Sequence, residues 1–127
     1  MGEQPPYRII YLGPAQQDLL RLRAFLVDGG VDLAHAQELI EKIVVGLRIL
    51  ENNPCAGFTL GGKYGFNIPY RALITGRYVA VYEVFEDEDD LAVHGKTSTE
   101  RLGPRVEIRR IYHGREDYIS QLMHAAP

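Results

Sequence analysis

The sequence predicts an α+β domain, in which an N-terminal strand and a two-helix hairpin pack on a small antiparallel sheet. Two observations carry this prediction. Apolar residues recur at helical spacing in two adjacent segments of the first half, and segments rich in β-branched and aromatic residues dominate the second half. Helices followed by clustered strands are typical of α+β folds. The length of 127 residues fits one domain, spanning residues 1–127.

The first predicted elements are a strand and a helix. Residues 7–11 read Tyr-Arg-Ile-Ile-Tyr, a composition that favours a strand. A helix begins at Gly13-Pro14, since proline fits the first helical turn, and it ends at Gly29-Gly30. Its apolar stripe consists of Ala15, Leu19, Leu22 and Leu26.

The second predicted helix starts near Asp32, a favourable N-cap residue. Its buried face consists of Ala36, Ile40, Ile43, Leu47 and Leu50. Asn52-Asn53-Pro54 ends it, because the residue before a proline avoids the helical conformation. Two amphipathic helices joined by a short glycine link indicate an antiparallel hairpin.

The remaining elements follow in the second half. We expect an irregular loop over residues 55–69, strands over 70–74, 77–85 and 106–113, and a short helix over 116–123. Thr75-Gly76 forms the turn between the first two of these strands. The strand over 77–85 is apolar on both alternating faces, so we place it in the middle of the sheet.

Charge is distributed unevenly along the chain. The net charge is -3, which excludes a globally basic nucleic-acid binder. Residues 86–100 carry six acidic side chains against one lysine, a local charge of -5, and the rest of the chain is therefore +2. We treat residues 86–105 as an inserted acidic loop, because about twenty irregular residues are unusual inside a compact domain.

Several functional classes are excluded by what the sequence contains. A lone cysteine, Cys55, cannot form an intramolecular disulfide or a cysteine-based zinc site. No targeting signal and no apolar run long enough to span a bilayer occur, so we predict a cytoplasmic protein without a membrane partner. Histidines and carboxylates such as His35 and Glu38 lack a second ligand pair, and we predict neither a metal site nor a cofactor.

One loop nearly matches a nucleotide-binding pattern. Gly57 to Tyr64 approaches the P-loop motif, but Tyr64 stands where a serine or threonine would hold magnesium. A helix precedes this loop and a strand follows it, which is the reverse of the order that phosphate binding at a helix N-terminus requires. We therefore interpret the segment as a connecting loop.

The final third of the chain concentrates arginine among aromatic side chains. Arg109 and Arg110 precede Tyr112 and His113, and alternation along a strand would place Arg110 with Tyr112 on one face and Arg109 with His113 on the other. Arg71 and Arg77 flank the turn and could join this group across the sheet. Arginine binds phosphates or carboxylates, whereas a solvated sheet face with salt bridges to the acidic loop is the alternative.

Three stretches of the sequence carry a family resemblance. They are Tyr7 to Tyr11 with Ala15 and Asp18-Leu19; Tyr70-Arg71-Ala72-Leu73 with Tyr78 to Val84; and Ile108 to Tyr118, which contains His113-Gly114-Arg115-Glu116-Asp117. In order and spacing they resemble the RelE/ParE superfamily of toxins from type II toxin–antitoxin pairs, and the last stretch is similar to the ParE-like ending. The resemblance covers residues 7–85 and 106–122 and implies two helices packed on a small antiparallel sheet.

The resemblance implies two activities and a partner. ParE-like members inhibit DNA gyrase, RelE-like members cleave messenger RNA on the ribosome, and both kinds pair with a cognate antitoxin. We favour gyrase inhibition because the central strand offers Val79, Ala80 and Val81 where ribonucleases of the superfamily carry cations. The target-binding candidates are Arg77, Arg109, Arg110 and Tyr112.

Two alternatives remain open at this point. A ribosome-dependent ribonuclease would use Arg71, His113, Arg115 and Tyr118 as its catalytic groups. A family member without activity would act as a protein-binding module. The superfamily pattern lacks the acidic loop, which we interpret as a cover over the arginines because opposite charges adjoin in the sequence.

Overall fold

Five strands form one sheet with two helices on one face, in a computed structural model that describes residues 6–61, 69–86 and 103–114. The elements are β1 (Arg8–Tyr11), α1 (Gly13–Asp28), α2 (Leu33–Leu47), a 3-10 turn (Arg48–Glu51), β2 (Phe58–Thr59), β3 (Arg71–Thr75), β4 (Tyr78–Phe85) and β5 (Arg105–His113). The predicted α+β class is confirmed, and the predicted strands begin and end within a residue of β1, β3, β4 and β5.

The strand order is β1-β5-β4-β3-β2. β1 runs parallel to β5, whereas the other neighbouring pairs are antiparallel. The sheet is therefore mixed, and not wholly antiparallel as the sequence predicts. The alternation of apolar and polar residues shows which residues share a face of a strand, but it does not show which strand lies beside it. The parallel pairing of β1 with β5 therefore could not be predicted from the sequence pattern.

Two predictions concern segments between and after these elements. The prediction of an irregular loop over residues 55–69 is wrong at Phe58–Thr59, which pair with β3 as β2. A two-residue strand is too short to show alternation in the sequence. The helix predicted over residues 116–123 lies outside the described residues, as does most of the acidic loop.

Both helices begin as the sequence predicts. Pro14 lies in the first turn of α1, and the Asp32 carboxylate caps α2 by accepting a hydrogen bond from the backbone N–H of His35 at 2.8 Å. Ala15 of α1 and Ile43 and Leu47 of α2 are buried against the sheet. The face of the sheet that these residues cover is called the helix face below.

β4 is buried on both faces, which confirms its predicted central position. Ala80 and Tyr82 face the helices, whereas Val79 and Val81 join Tyr112 in a second buried cluster on the opposite face. Because both clusters consist of buried, largely apolar side chains, we look for exposed functional groups at the ends of the strands and on the helices.

A β-bulge interrupts β5 at Arg109. Val81 pairs with Arg110 while the next residue of β4, Tyr82, pairs with Ile108, so Arg109 is the extra residue on β5. The expectation that Arg109 shares a face with His113 is therefore wrong, because one added residue shifts the alternation. Arg109 bonds to Glu83 on the opposite face, and His113 pairs with Tyr78, which packs on the helix face.

The Tyr82 hydroxyl fastens the loop between the 3-10 turn and β2. It donates a hydrogen bond to the Pro54 carbonyl at 2.8 Å and accepts one from the Gly57 N–H at 2.9 Å. Glycine is required at position 57, because a Cβ there would lie 2.3 Å from the Ala72 carbonyl oxygen. The Arg71 guanidinium adds a bond of 3.0 Å to the Gly57 carbonyl.

The acidic loop leaves and re-enters the sheet at one end of β4. There Glu86 accepts a hydrogen bond from the Tyr7 hydroxyl, and this bond raises the pKa of Tyr7 to about 12. The buried Arg105 donates to Glu107 at 2.8 Å and lies 4.2 Å from the centre of the Phe85 ring. Arg77 lies beyond the other end of β4, about 25 Å away by strand length, so the loop leaves the sheet far from that arginine.

Replacing Tyr82 by phenylalanine should destabilise the domain. Tyr82→Phe leaves the Gly57 N–H and the Pro54 carbonyl without their partner, so we expect the free energy of unfolding to fall by about 1–3 kcal/mol in urea denaturation. Tyr78→Phe on the same strand and face is the control. Equal stabilities of the two variants would contradict the role of the Tyr82 hydroxyl.

Stability should also decline at alkaline pH through Tyr11. Burial raises the pKa of Tyr11 from its ordinary value of 10.0 to about 12, so its contribution is fully present below pH 10 and is lost as the pH rises through 12. Unfolding measured between pH 9 and 12 should show a shallower loss for Tyr11→Phe than for the wild type. Parallel curves for the two proteins would refute this assignment.

Candidate functional site: a groove between the first helix and the end of the sheet

The last part of β5 extends beyond its neighbour β1. β1 ends at Tyr11, which pairs with Ile108, and β5 continues to His113. Within the described part of the chain, the backbone of β5 beyond Ile108 therefore has no strand on this side. α1 begins directly after β1 and lies along this open edge, which brings its side chains to the backbone of β5.

Asp18 of α1 closes the open edge. Its carboxylate accepts the backbone N–H of Ile111 at 2.9 Å and takes two bonds from Arg110, from Nε at 2.8 Å and from Nη2 at 3.0 Å. Only 9% of the Asp18 side chain is exposed. Charge-assisted, two-pronged bonds of this kind are stronger than neutral ones and fix the guanidinium in one orientation.

A groove of about 560 Å³ opens between α1 and this end of the sheet. It is lined by Asp18, Arg21, Leu22, Phe25 and Leu26 of α1, by Arg77 and Tyr78 at the β3–β4 turn, and by Arg110, Ile111, Tyr112 and His113 of β5. Gly76 makes this turn with a positive φ of 61°, and the Arg77 carbonyl accepts a bond from the Gly114 N–H, which holds the turn beside the end of β5.

Aromatic contacts fix one wall of the groove. The rings of Tyr78 and His113 meet edge to face, with their centroids 5.5 Å apart and an angle of 85° between the planes. The Arg110 guanidinium lies 5.1 Å from the centre of the Tyr112 ring, so Arg110 is held both by Asp18 and by an aromatic face.

The four target-binding candidates from the sequence do not lie together. Arg77 and Arg110 line the groove. Tyr112 also belongs to its lining, but the Tyr112 side chain is buried in the second cluster. Tyr112 is 1% exposed, which leaves little of it for a partner to touch. Arg109 lies on the opposite face, 3.4 Å from Glu83 and over the Tyr70 ring.

The ribonuclease candidates are not assembled among the described residues. Arg71 pairs with Tyr82 and His113 with Tyr78, positions four residues apart along β4, so they are separated by about 13 Å along the sheet and by two strand spacings. Arg71 already donates to the Gly57 carbonyl. Arg115 and Tyr118 lie outside the described residues.

Sequence analysis missed three residues of the groove, Asp18, Arg21 and Phe25. They follow one another at spacings of three and four on α1, beside the buried apolar stripe, which places them on one side of the helix. This spacing was a usable signal. The β-bulge at Arg109, which precedes the Asp18 contact on β5, gives no such signal in the sequence.

Residues 6–61, 69–86 and 103–114 contain no group of three or more side chains suited to hold a metal ion. Within the same ranges, neither helix is long and apolar enough to cross a membrane.

Comparisons with known proteins agree with the family resemblance of the sequence. Residues 9–94 match the family described as the ParE toxin of the type II toxin–antitoxin system parDE. Among solved structures, a chain of the chromosomal ParDE TA system from P. aeruginosa is similar, with a TM-score of 0.59, 16% identity, and coverage of 84% of this chain and 95% of that chain. At this identity the likeness establishes the fold alone. No curated protein matches the chain.

Removing the Asp18 carboxylate should destabilise the domain more than removing an exposed one. Asp18→Ala leaves the Arg110 charge and the Ile111 N–H without their acceptor, so we expect the free energy of unfolding to fall by about 2–4 kcal/mol. The control is Glu38→Ala, since Glu38 contributes only to an exposed pair with His35. Similar losses in urea denaturation for both variants would disprove the structural role of Asp18.

Proposed function

The chain belongs to the ParE toxin family of type II toxin–antitoxin systems, and from that premise we propose that it inhibits DNA gyrase and that a cognate antitoxin neutralises it. Gyrase acts in the cytoplasm, so the proposal places the protein there. The observation that carries the proposal is the gathering of Arg77, Arg110 and His113 with α1 side chains around one groove. Such a surface is suited to binding a macromolecule.

The separation of the ribonuclease candidates supports binding over catalysis. Cleavage of RNA by its own 2′-hydroxyl requires a base, an acid and a cation within hydrogen-bond reach of one phosphate. Arg71 and His113 lie on strands separated by β4 and at different heights along it. Two groups so placed cannot serve the same phosphate, which favours the gyrase proposal over the ribosomal alternative.

Exposed apolar side chains on the helices support an antitoxin partner. Leu20 and Val27 of α1 and Val45 of α2 are 48%, 39% and 62% exposed. Large apolar side chains on the outside of a small domain often mark protein-binding surfaces. An amphipathic antitoxin helix that packs against the helical hairpin would cover them and gain their burial.

A supercoiling assay with purified proteins tests the proposal. We expect the wild type to inhibit gyrase and Arg77→Glu to require at least about ten times more protein for the same inhibition, because it reverses the charge at the rim of the groove. Lys42→Glu, an exposed lysine of α2 outside the groove, should inhibit like the wild type.

A translation-coupled RNA-cleavage assay separates the alternatives. Full gyrase activity together with ribosome-dependent cleavage would overturn the proposal in favour of the ribonuclease. Absence of both effects would favour the inactive binding module.

A further inference from the structure

We propose that the groove receives an acidic protein segment of gyrase, which inserts an apolar side chain against Phe25 while its carboxylates bind Arg21 and Arg77. This inference rests on the proposed function and specifies the chemistry of the contact. It is argued from the charge of the groove, from the exposure of Phe25 and from the small number of cations available.

The charge of the groove favours carboxylates. Among the described residues that line it, Asp18 alone is acidic, and that carboxylate is already matched by the Arg110 guanidinium. Arg21 and Arg77 line the same groove and make no ion pair with any described residue. Two unmatched guanidinium groups on opposite walls give the groove a positive potential, and each can bind a carboxylate through two parallel hydrogen bonds.

Phe25 supplies an apolar anchor point. Its side chain is 73% exposed, the largest exposed fraction among the large apolar residues described. Leu22 and Ile111 line the same groove, so an inserted side chain would also contact their apolar surfaces. Burial of a phenylalanine removes a large area from water, and aromatic residues of this kind contribute strongly to protein interfaces.

The wall opposite Phe25 is held in place before a partner binds. The Tyr78 and His113 rings pack edge to face, and the Gly114 N–H binds the Arg77 carbonyl. Preformed walls reduce the conformational entropy that binding would otherwise remove, so a short segment can bind with useful affinity.

The same features disfavour a nucleic acid as the occupant. Proteins that bind duplex DNA through its backbone neutralise several phosphates, commonly about 6–10. The described lining of the groove offers two arginines that pair with no described carboxylate, and it includes the Asp18 carboxylate. The whole chain carries a net charge of -3, so it supplies no broad positive field around the groove.

A binding assay with DNA-free gyrase tests the inference. The toxin can be labelled with fluorescein at its single cysteine, the exposed Cys55, which lies outside the groove. Fluorescence anisotropy then measures its affinity for the complete gyrase holoenzyme. We expect Phe25→Ala and Arg21→Glu each to weaken binding at least tenfold and Phe25→Leu to retain most of it. Added salt should weaken the wild type more than Arg21→Glu.

Matched controls separate a local effect from misfolding. Ile49→Ala removes an apolar side chain that is 53% exposed on the 3-10 turn, and Lys42→Glu reverses an exposed charge on α2. Both should bind gyrase within twofold of the wild type. Because Phe25 and Arg21 are exposed, their variants should also unfold at the wild-type temperature.

The possible outcomes are distinct. If the wild type binds and inhibits gyrase while Phe25→Ala and Arg21→Glu behave identically to it, the groove inference is overturned and the proposed function stands. If the wild type neither binds nor inhibits gyrase, both fail. If the variants keep gyrase binding but lose binding to a 30-base-pair DNA duplex, the groove binds a nucleic acid. If they keep gyrase binding but lose self-association, the groove binds a second copy of the chain. Either result would overturn the inference.

Discussion

The Asp18 carboxylate holds together the part of the domain on which the groove depends. β1 is too short to cover β5, and an uncovered strand edge exposes backbone groups that need hydrogen-bond partners. The two oxygens of Asp18 accept one hydrogen bond from the Ile111 N–H and two from Arg110, so a single side chain bonds to the open strand edge and attaches α1 to the sheet. Together with the burial of Ala15 against the sheet, this attachment holds the helix wall and the strand wall of the groove at a fixed distance.

The bulge at Arg109 and the Asp18 contact are adjacent on β5. Arg109, the extra residue of the bulge, bonds to Glu83 on the opposite face, whereas Arg110 binds Asp18. Arg109 and Arg110, although neighbours in the chain, therefore bind different elements of the fold, β4 and α1. Bulges commonly re-aim side chains in this way near functional sites. The neutralised Arg110 then acts as a fixed wall of the groove, and Arg21 and Arg77 carry its unmatched charge.

Those parts of the fold that depend on local pattern could be predicted from the sequence. The helical stripe of α2, the cap at Asp32 and the two apolar faces of β4 each follow from residues near one another in the chain. The parallel pairing of β1 with β5 and the bulge at Arg109 depend on which strand lies alongside, and periodicity carries no such information. For the same reason the sequence allowed Arg77 and Arg110 to be named as candidates. It did not allow the prediction that they line one groove with Asp18, Arg21 and Phe25.

Burial of β4 on both faces determines where this domain can evolve new contacts. A change of a residue such as Ala80 or Val81 would alter the core, so partner recognition is confined to strand ends, loops and helix exteriors. The two ends of β4 are used differently: one meets the groove, and the other carries the acidic loop between Glu86 and Arg105. The two residues at which this loop joins the sheet therefore lie about one strand length from the groove.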